Sequence, residues 1–355
     1  MPYKPEVIRF DYAAPSLGGV DWRGGVVLRS TNWLGDILMT LPATWQLRRV
    51  LPEGVPLWAA APAGLAPLWT AAPWIDGVIP FSGKRMALDE RNILQEKDFG
   101  LGVVLPNSFG SALDFYRAGI PRRLGRRGNF RGWMLTDAIP QWHRHEGEGK
   151  WHQLSWYLDL MRPFGAIDFT ADSPSLRVDG AYAERLGIRR GAGFVALAPG
   201  AAYGPAKQWP SENFIRVAEA LLKRGRRIVL VGARSEAGIT SEIASSASGC
   251  LDLGGRTTLP ELMSVLANVD AAVANDSGAM HLAAALGTRG VGIFASTDPV
   301  ATGPLGAPWE LRIADVDCRP CLQRECPWAG YRKYKCMRAL PPEGVIESLD
   351  ALLGA

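Results

Sequence analysis

The sequence has no long apolar run, no standard phosphate-binding glycine motif and only a small excess of positive charge. No apolar stretch approaches the roughly 20 residues that a membrane-spanning helix needs, and we expect none. The net charge is only +4 in 355 residues, so a nucleic-acid-binding protein is not indicated. The N-terminal residues lack the apolar core of a signal peptide, and we therefore expect a cytoplasmic protein.

Two nucleotide-binding motifs are also missing. No G-x-G-x-x-G follows a predicted strand and no Walker loop is present, so neither standard dinucleotide binding nor P-loop binding is supported. No D-x-D pair is suited to hold a metal ion on a diphosphate. If this protein binds a diphosphate, we expect helix dipoles and a lysine to neutralise it without a metal.

What the sequence does contain is a regular alternation of strand and helix patterns in both of its halves. Hydrophobic residues make up 47% and charged residues 21%, which are globular values. Short apolar runs such as "VVLR", "LGVVLP", "FVALA" and "RIVLV" each precede a helical pattern. This predicts an α/β fold with mainly parallel sheets, built as two doubly wound, Rossmann-like domains. Such domains bind ligands at the carboxyl ends of their strands, so two of them facing each other form a central cleft.

A stretch rich in turn-forming residues separates the two halves and predicts the domain boundaries. We expect an N-terminal domain over residues 1–165, a linker over 166–190 and a C-terminal domain over 191–340. The C-terminal domain includes a cysteine-rich segment, residues 318–336. A final helix over 341–355 could pack back on the N-terminal domain.

The stretch "NDSGAMHLAAALG" places a polar cluster where a helix begins. A helix N-terminus has free backbone N–H groups and the positive end of its dipole, which favours an anion, most often a phosphate. The alternative is a simple N-cap by Asp276 or Ser277. A second loop, "APGAAYGPAKQWP", has matching chemistry: Gly200 permits close approach of the backbone, and Lys207 supplies a cation that could otherwise be an ordinary solvated charge.

In the first half, "STNWLGDILMTLP" holds one carboxylate, Asp36, at the mouth of a helix. It could be an ordinary first-turn acid that the helix dipole favours. Its place after the first strand, on the side where ligands bind, favours a role in the reaction instead.

These stretches, together with "LPNSFGSAL", resemble the signature motifs of the ADP-heptose:lipopolysaccharide heptosyltransferases, glycosyltransferase family 9. The resemblance runs from about Val26 to Leu353, and "PNSF" is more typical of the family's second-heptose enzymes. It implies a GT-B fold and an inverting transfer without a metal, from ADP-L-glycero-D-manno-heptose to heptosyl-Kdo2-lipid A. It also implies peripheral binding to the cytoplasmic surface of the inner membrane.

The resemblance also implies roles for individual residues. Asp36 matches the general base, and Lys207 the lysine that binds phosphate. His281 could instead be a packing histidine, and the alignment at Glu236 can slip. The implied donor-binding residues are Gly200, Ala201, Lys207, Glu236, Asp276, Ser277, Gly278 and His281. The implied acceptor-binding residues are Thr31, Asn32, Asn107, Ser108, Arg122 and Arg126.

Basic residues concentrate in residues 122–132 and 143–152, with Trp133, Trp142 and Trp151 nearby. Such clusters are usually solvated surface, and the tryptophans could be core. With the family resemblance, they suit an anionic acceptor and an anionic membrane surface.

Cysteine is confined almost entirely to one segment. Cys250 stands alone, whereas the other four lie close together in "CRPCLQRECPWAGYRKYKC". A reducing compartment disfavours disulfides, and a two-residue gap between cysteines is common in zinc sites. Structural zinc is our first interpretation, with an iron–sulfur centre, free thiols or regulatory disulfides as alternatives. The predicted ligands are Cys318, Cys321, Cys326 and Cys336.

Three other functions compete with the transfer of heptose. A related glycosyltransferase could use another donor or acceptor, since donors in this family differ by a hydroxyl group or a carbon. A sugar-nucleotide epimerase shares the two-domain fold but needs more acid–base residues than Asp36. A zinc-ribbon protein that binds nucleic acid is disfavoured by the small net charge.

Overall fold

The computed structural model describes residues 1–141 and 151–354, which form two compact units. One unit comprises Glu6–Arg177, and the other comprises Met1–Pro5 together with Val178–Ala355. The boundary between them lies within the predicted linker. The first five residues, which we expected in the N-terminal domain, belong to the C-terminal unit, where the backbone N–H of Tyr3 donates to the carbonyl of Trp309 at 2.7 Å.

The N-terminal unit contains one six-stranded parallel sheet with strand order β3-β2-β1-β4-β5-β6. Its central strands are buried along their whole length, as strands covered by helices on both faces are. The strands are β1 (Val26–Arg29), β2 (Leu57–Pro62), β3 (Gly77–Phe81), β4 (Leu101–Val104), β5 (Arg122–Arg126) and β6 (Asp137–Ile139). The helices are α1 (Leu34–Val50), α2 (Ala66–Thr70), α3 (Leu88–Glu96), α4 (Phe109–Arg117) and α5 (Leu154–Met161).

The C-terminal unit repeats this architecture with strand order β12-β11-β10-β7-β8-β9. The strands are β7 (Phe194–Ala198), β8 (Arg227–Leu230), β9 (Leu251–Asp252), β10 (Ala271–Asn275), β11 (Gly290–Phe294) and β12 (Trp309–Ile313). The helices are α6 (Ala181–Arg185), α7 (Ser211–Lys223), α8 (Ala237–Ser246), α9 (Leu259–Asn268), α10 (Gly278–Ala285), α11 (Pro299–Thr302), α12 (Lys335–Arg338) and α13 (Pro342–Leu353).

Both sheets reverse their strand order at one point, between β1 and β4 in the N-terminal unit and between β7 and β10 in the C-terminal unit. The doubly wound class predicted from the sequence is confirmed. In such sheets, ligands bind where the order reverses, just beyond the carboxyl ends of the strands. The loops after these four strands carry most of the residues that the sequence singled out.

The C-terminal helix α13 packs within its own unit, against α7 and the strands β10 to β12. Val345 and Leu349 are buried in the same core as Leu221 and Ile293. This differs from the expectation that the helix could return to the N-terminal domain, because its apolar face completes the C-terminal core. Among the helices of the described ranges, none is long and apolar enough to cross a membrane.

Candidate active site

The N-terminal unit has a cavity of about 420 Å³ at the carboxyl ends of β1 and β4. Six of the residues that line it come from the predicted set: Thr31, Asn32, Asp36, Asn107, Ser108 and Arg126. The sequence did not single out Trp33, Asn129, Gln153, Trp156 or Tyr157, which also line it. The last three come from α5 and the residue before it, which pack against α1 but follow it by more than a hundred residues.

Asp36 lies in the first turn of α1, directly after the loop that ends β1. Its carboxylate faces the cavity, and the positive end of the helix dipole stabilises its charge. Burial raises the pKa of the Tyr157 hydroxyl, and the charge of the nearby Asp36 raises it further. Gln153 Nε2 donates to that hydroxyl oxygen at 3.1 Å, so the Tyr157 proton is available to another acceptor.

Thr31 is another polar group in this cavity. Its hydroxyl is buried and has no hydrogen-bond partner among the described residues. A buried hydroxyl without a partner costs about 1–3 kcal/mol, so a ligand hydroxyl at this place would be favoured.

The structure uses several arginines of residues 122–132 internally. Arg122 pairs with Asp137 and is not among the residues that line the cavity, so its predicted contact with the acceptor is not supported. Arg126 lines the cavity, but its guanidinium is held by Asp159 at 3.1 Å and by the carbonyl of Trp156. Arg131 is fully buried, donates to Asn107 Oδ1 at 2.8 Å, and has its pKa lowered to about 10 by burial and then by the charge of Arg126.

The tryptophans near these basic stretches differ in exposure. Trp151 is buried against Phe10 and Trp156, with ring centroids at 5.0 and 5.3 Å, and is core. Trp133 is 62% exposed. Trp142 and most of residues 143–152 lie outside the described residues.

In the C-terminal unit, the polar groups converge on one buried carboxylate, Asp276, at the end of β10. Lys207 Nζ and Thr297 Oγ1 both lie 2.6 Å from Asp276 Oδ2, and His281 Nε2 lies 3.8 Å from Oδ1. Burial alone would raise the pKa of Asp276, but the contacts with His281 and Lys207 outweigh it and lower the pKa to about 2. Asp276 is therefore ionised at neutral pH and fixes the Lys207 ammonium.

The loop that carries Lys207 is held against β10 by Asn275, a fully buried amide. Its Nδ2 donates to the carbonyl of Pro199 at 2.7 Å, and its Oδ1 accepts from the backbone N–H of Trp209 at 3.2 Å. Glycine is required at position 200, because a Cβ there would lie 2.0 Å from Glu236 Cδ; the predicted approach of the backbone to an anion stays a prediction. Glu236 thus lies against the same loop.

Ser277 is the N-cap of α10 but makes no capping hydrogen bond through its side chain. Its hydroxyl is buried without a partner among the described residues. The alternative that this motif is merely a helix cap is therefore not supported. The structure brings the predicted donor-side residues together at the ends of β7, β8 and β10, and it adds Thr297 from the loop after β11, which the sequence analysis missed.

The four clustered cysteines lie near one another in the C-terminal unit. Burial raises the pKa of the Cys336 thiol, and Cys318, Cys321 and Cys326 raise it further. Even so, among the described residues no three His, Cys, Asp or Glu side chains are placed to hold a metal ion. Structural zinc in this segment stays a prediction.

Comparison with known proteins identifies the family. The sequence model of glycosyltransferase family 9 (heptosyltransferase) matches residues 88–332. Lipopolysaccharide heptosyltransferase 2 of Salmonella typhimurium is 30% identical over 92% of this chain and 98% of its own. The corresponding Escherichia coli enzyme is 29% identical with the same coverage.

Among solved structures, E. coli ADP-heptose LPS heptosyltransferase II superposes with a TM-score of 0.76 at 28% identity, over 93% of this chain and 98% of that one. The similarity therefore extends over both units. Because the family match covers well over half of the sequence, this protein is a glycosyltransferase of family 9 with the GT-B fold.

Proposed function

We propose that this protein transfers a heptose from ADP-L-glycero-D-manno-heptose to the heptosyl-Kdo2-lipid A inner core of lipopolysaccharide. The observation that carries the proposal is the similarity to heptosyltransferase 2 over 92% of the chain. Asp36 and Lys207, which the motif resemblance matches to the general base and the phosphate-binding lysine, both follow the end of a strand. Membership of a glycosyltransferase family disfavours the epimerase alternative.

On the acceptor side, Asp36 is the general base. An inverting transfer needs one carboxylate to take the proton of the attacking hydroxyl as positive charge develops on the sugar. Asp36 lines a cavity that also presents the side chain of Asn107 and the Thr31 hydroxyl, which has no partner within the described part of the chain. A sugar acceptor has many hydroxyl groups, and these hydroxyls can form hydrogen bonds with the polar side chains of the cavity.

On the donor side, Lys207 and the N-terminus of α10 bind the diphosphate. The Lys207 ammonium has three N–H donors, so it can keep its bond to Asp276 while it donates to a phosphate oxygen. Asp276 is followed directly in the chain by Ser277, the N-cap of α10, and then by the first N–H groups of that helix. This positive end of the helix stabilises the charge that grows as the diphosphate leaves.

We further propose that the N-terminal unit contacts the cytoplasmic face of the inner membrane through an aromatic surface made of Phe109, Tyr116, Phe130 and Trp133. The ring of Trp133 lies 6.5 Å from that of Phe109 and 5.2 Å from that of Tyr116, and all four side chains are exposed. Phe130 is 93% exposed. The guanidinium of Arg123 lies 5.4 Å from the Tyr116 ring centroid. Aromatic side chains with basic neighbours suit an anionic lipid interface.

Product mass is the decisive test of the transfer. We expect incubation with ADP-heptose and heptosyl-Kdo2-lipid A to add one heptose to the acceptor. Parallel reactions with ADP-glucose and with Kdo2-lipid A would show whether the enzyme prefers another donor or acceptor. Transfer with one of those pairs and none with the proposed pair would contradict the assignment of substrates.

Sedimentation with vesicles tests the membrane contact. Vesicles that contain phosphatidylglycerol should retain the wild type better than the Phe130→Ser, Trp133→Ser double variant. Leu88→Ser is a suitable control, because Leu88 is 67% exposed and lies at the start of α3, outside the aromatic surface. Equal retention of all three proteins would exclude this surface as the contact.

A further inference from the structure

Two loops carry the groups that contact Asp276 in the proposed donor site. The Lys207 loop, residues 199–209, follows β7, and the Thr297 loop, residues 295–298, follows β11. Lys207 Nζ and Thr297 Oγ1 meet at the same oxygen of Asp276. In the sheet, β7 and β11 lie on opposite sides of β10, so the two loops approach Asp276 from opposite sides.

The cysteine-rich segment, residues 318–336, is bonded to the Thr297 loop along its backbone. Arg319 Nε donates to the carbonyl of Ala295 at 3.1 Å, and Arg319 Nη2 donates to the carbonyl of Thr297 at 3.0 Å. The N–H of Leu322 donates to the carbonyl of Ser296 at 2.9 Å. Three consecutive carbonyls of the loop thus accept hydrogen bonds from this one segment.

The same segment is bonded to the Lys207 loop. Arg324 Nε donates to the carbonyl of Tyr203 at 2.8 Å, and the Tyr203 hydroxyl donates to the carbonyl of Leu322 at 2.8 Å. The N–H of Ala206, next to Lys207, donates to the carbonyl of Arg324 at 3.1 Å. Lys207 Nζ and the Arg324 guanidinium both contact the Tyr203 ring, at 4.9 and 5.4 Å from its centroid.

The approach of the segment to this loop is close enough to require glycine at one position. Gly204 has φ +153°, and a Cβ there would lie 2.5 Å from the carbonyl oxygen of Arg324. The Lys207 loop is otherwise rich in glycine and proline and contains only the short 3₁₀ turn Pro205–Lys207. Within the loop, Gly204, Lys207 and Gln208 each donate a backbone N–H to the residue three positions before. Asn275 holds the two ends of the loop, so the bonds to the segment hold its middle, at Tyr203 and Ala206.

We infer that the cysteine-rich segment positions the donor-phosphate residues, with Arg319 and Arg324 as positioning residues that act through the Thr297 loop and the Lys207 loop. This rests on the proposed role of Lys207 and Asp276 in donor binding. Cys318 precedes Arg319, and Cys321 precedes Leu322. These thiols are thus the immediate neighbours of two residues that contact the Thr297 loop.

The test compares ADP affinity with turnover. We expect Arg319→Ala and Arg324→Ala to raise the Kd of ADP and the KM of ADP-heptose each about tenfold, since a hydrogen bond from a charged donor contributes about one to two powers of ten. The kcat at saturating donor should change less than about threefold. Arg324→Lys should restore part of the affinity, because the ammonium can still reach a carbonyl.

Arg332→Ala is the matched control. Arg332 belongs to the same segment, pairs with Asp317 at 3.6 Å and stacks on Trp328 at 4.1 Å. Among the contacts of the described residues, it has none with either loop. It should lower the Tm less than the other variants, because the Arg332 and Asp317 side chains are 39% and 69% exposed and such ion pairs contribute little, and it should leave the Kd of ADP unchanged. A purely structural role would move the Tm of all three variants and the Kd of none.

The outcomes separate this inference from the proposed function. If the wild type binds ADP and the Arg319 and Arg324 variants bind it equally well, the positioning role is wrong and the donor site stands. If Arg332→Ala weakens ADP binding as much as they do, the specific contacts are not the cause and the inference is overturned. If the wild type binds no ADP, the donor assignment fails, and this inference fails with it.

Discussion

The two units have the same strand order, yet their strand ends carry opposite chemistry. In the N-terminal unit, Asp36 stands in a cavity lined by hydroxyl, amide and aromatic groups, and Arg29 and Arg126 are paired with the buried Asp114 and Asp159. In the C-terminal unit, a lysine is directed to the ligand side of the sheet, beside the N-terminus of a helix.

The difference shows that the shared topology only provides the place for a site, while the strand-end loops determine its chemistry. In the proposed reaction, one unit accepts a proton and the other holds a leaving anion. A glycosyl transfer needs both a proton acceptor and a group that holds the leaving anion. The Asp36 and Lys207 variants below each remove one of these two groups.

The largest effect is expected at the base. Asp36→Asn should reduce turnover by about 10²-fold or more, because the acceptor hydroxyl then loses its proton acceptor. The Kd of ADP, measured by calorimetry, should stay near the wild-type value, since Asp36 belongs to the other unit.

Asp89→Asn is the control for this prediction. Asp89 is also a first-turn acid, in α3, but it is exposed and does not line the cavity. Its replacement should leave turnover unchanged. An Asp36→Asn enzyme with wild-type turnover would mean that this carboxylate is no more than a first-turn acid.

Removal of the lysine should affect both binding and rate. Lys207→Ala should weaken ADP binding and lower kcat, each by roughly 10- to 10²-fold, because the ammonium stabilises charge that grows in the transition state. Lys223→Ala, in the exposed last turn of α7, should change neither. Weaker binding with unchanged kcat would limit Lys207 to ground-state binding.

The turnover assay also tests whether a metal ion takes part in the reaction. We expect activity to survive a short incubation with EDTA, because Lys207 and α10 supply the positive charge. Immediate loss of turnover, reversed by Mg²⁺, would show that a metal ion takes part instead.

A moderate effect is expected at the cysteines. Cys321→Ser should lower the Tm and the metal content, while the kcat of the folded enzyme at saturating donor changes little, since metal binding in such segments contributes to folding. Elemental analysis of the untagged wild type should give close to one zinc per chain. Absence of zinc and iron, with the four thiols freely titratable, would rule out the metal site.

The smallest effect is a pH dependence of stability. The pKa of Asp276 is about 2 in the folded protein, against an ordinary value of 3.8. A lowered folded-state pKa stabilises the protein above the unfolded pKa, and this contribution disappears as the pH falls from 3.8 towards 2. The Tm difference between wild type and Asp276→Asn should therefore be constant above about pH 5 and shrink below about pH 4. A difference that grows on acidification would contradict the ion pair.

Structural features that depend only on residues close together in the sequence can be predicted from the sequence alone. A short apolar strand followed by a polar turn and a helix start is a local pattern. Asp36, Ser277 and the loop of Gly200 and Lys207 could therefore be placed at strand ends from that pattern. The alternation of such units along the chain was also sufficient to predict two doubly wound sheets, because each unit adds one parallel strand and its covering helix.

Contacts between distant segments depend instead on how the chain folds. Arg122 and Arg126 looked available in sequence, but Asp137 and Asp159 bind them because the fold brings these carboxylates alongside. Thr297 reaches Asp276 only because β11 lies next to β10. The surface on which α13 packs was equally undetermined, since an apolar helix face fits any complementary surface and the chain alone does not say which one it meets.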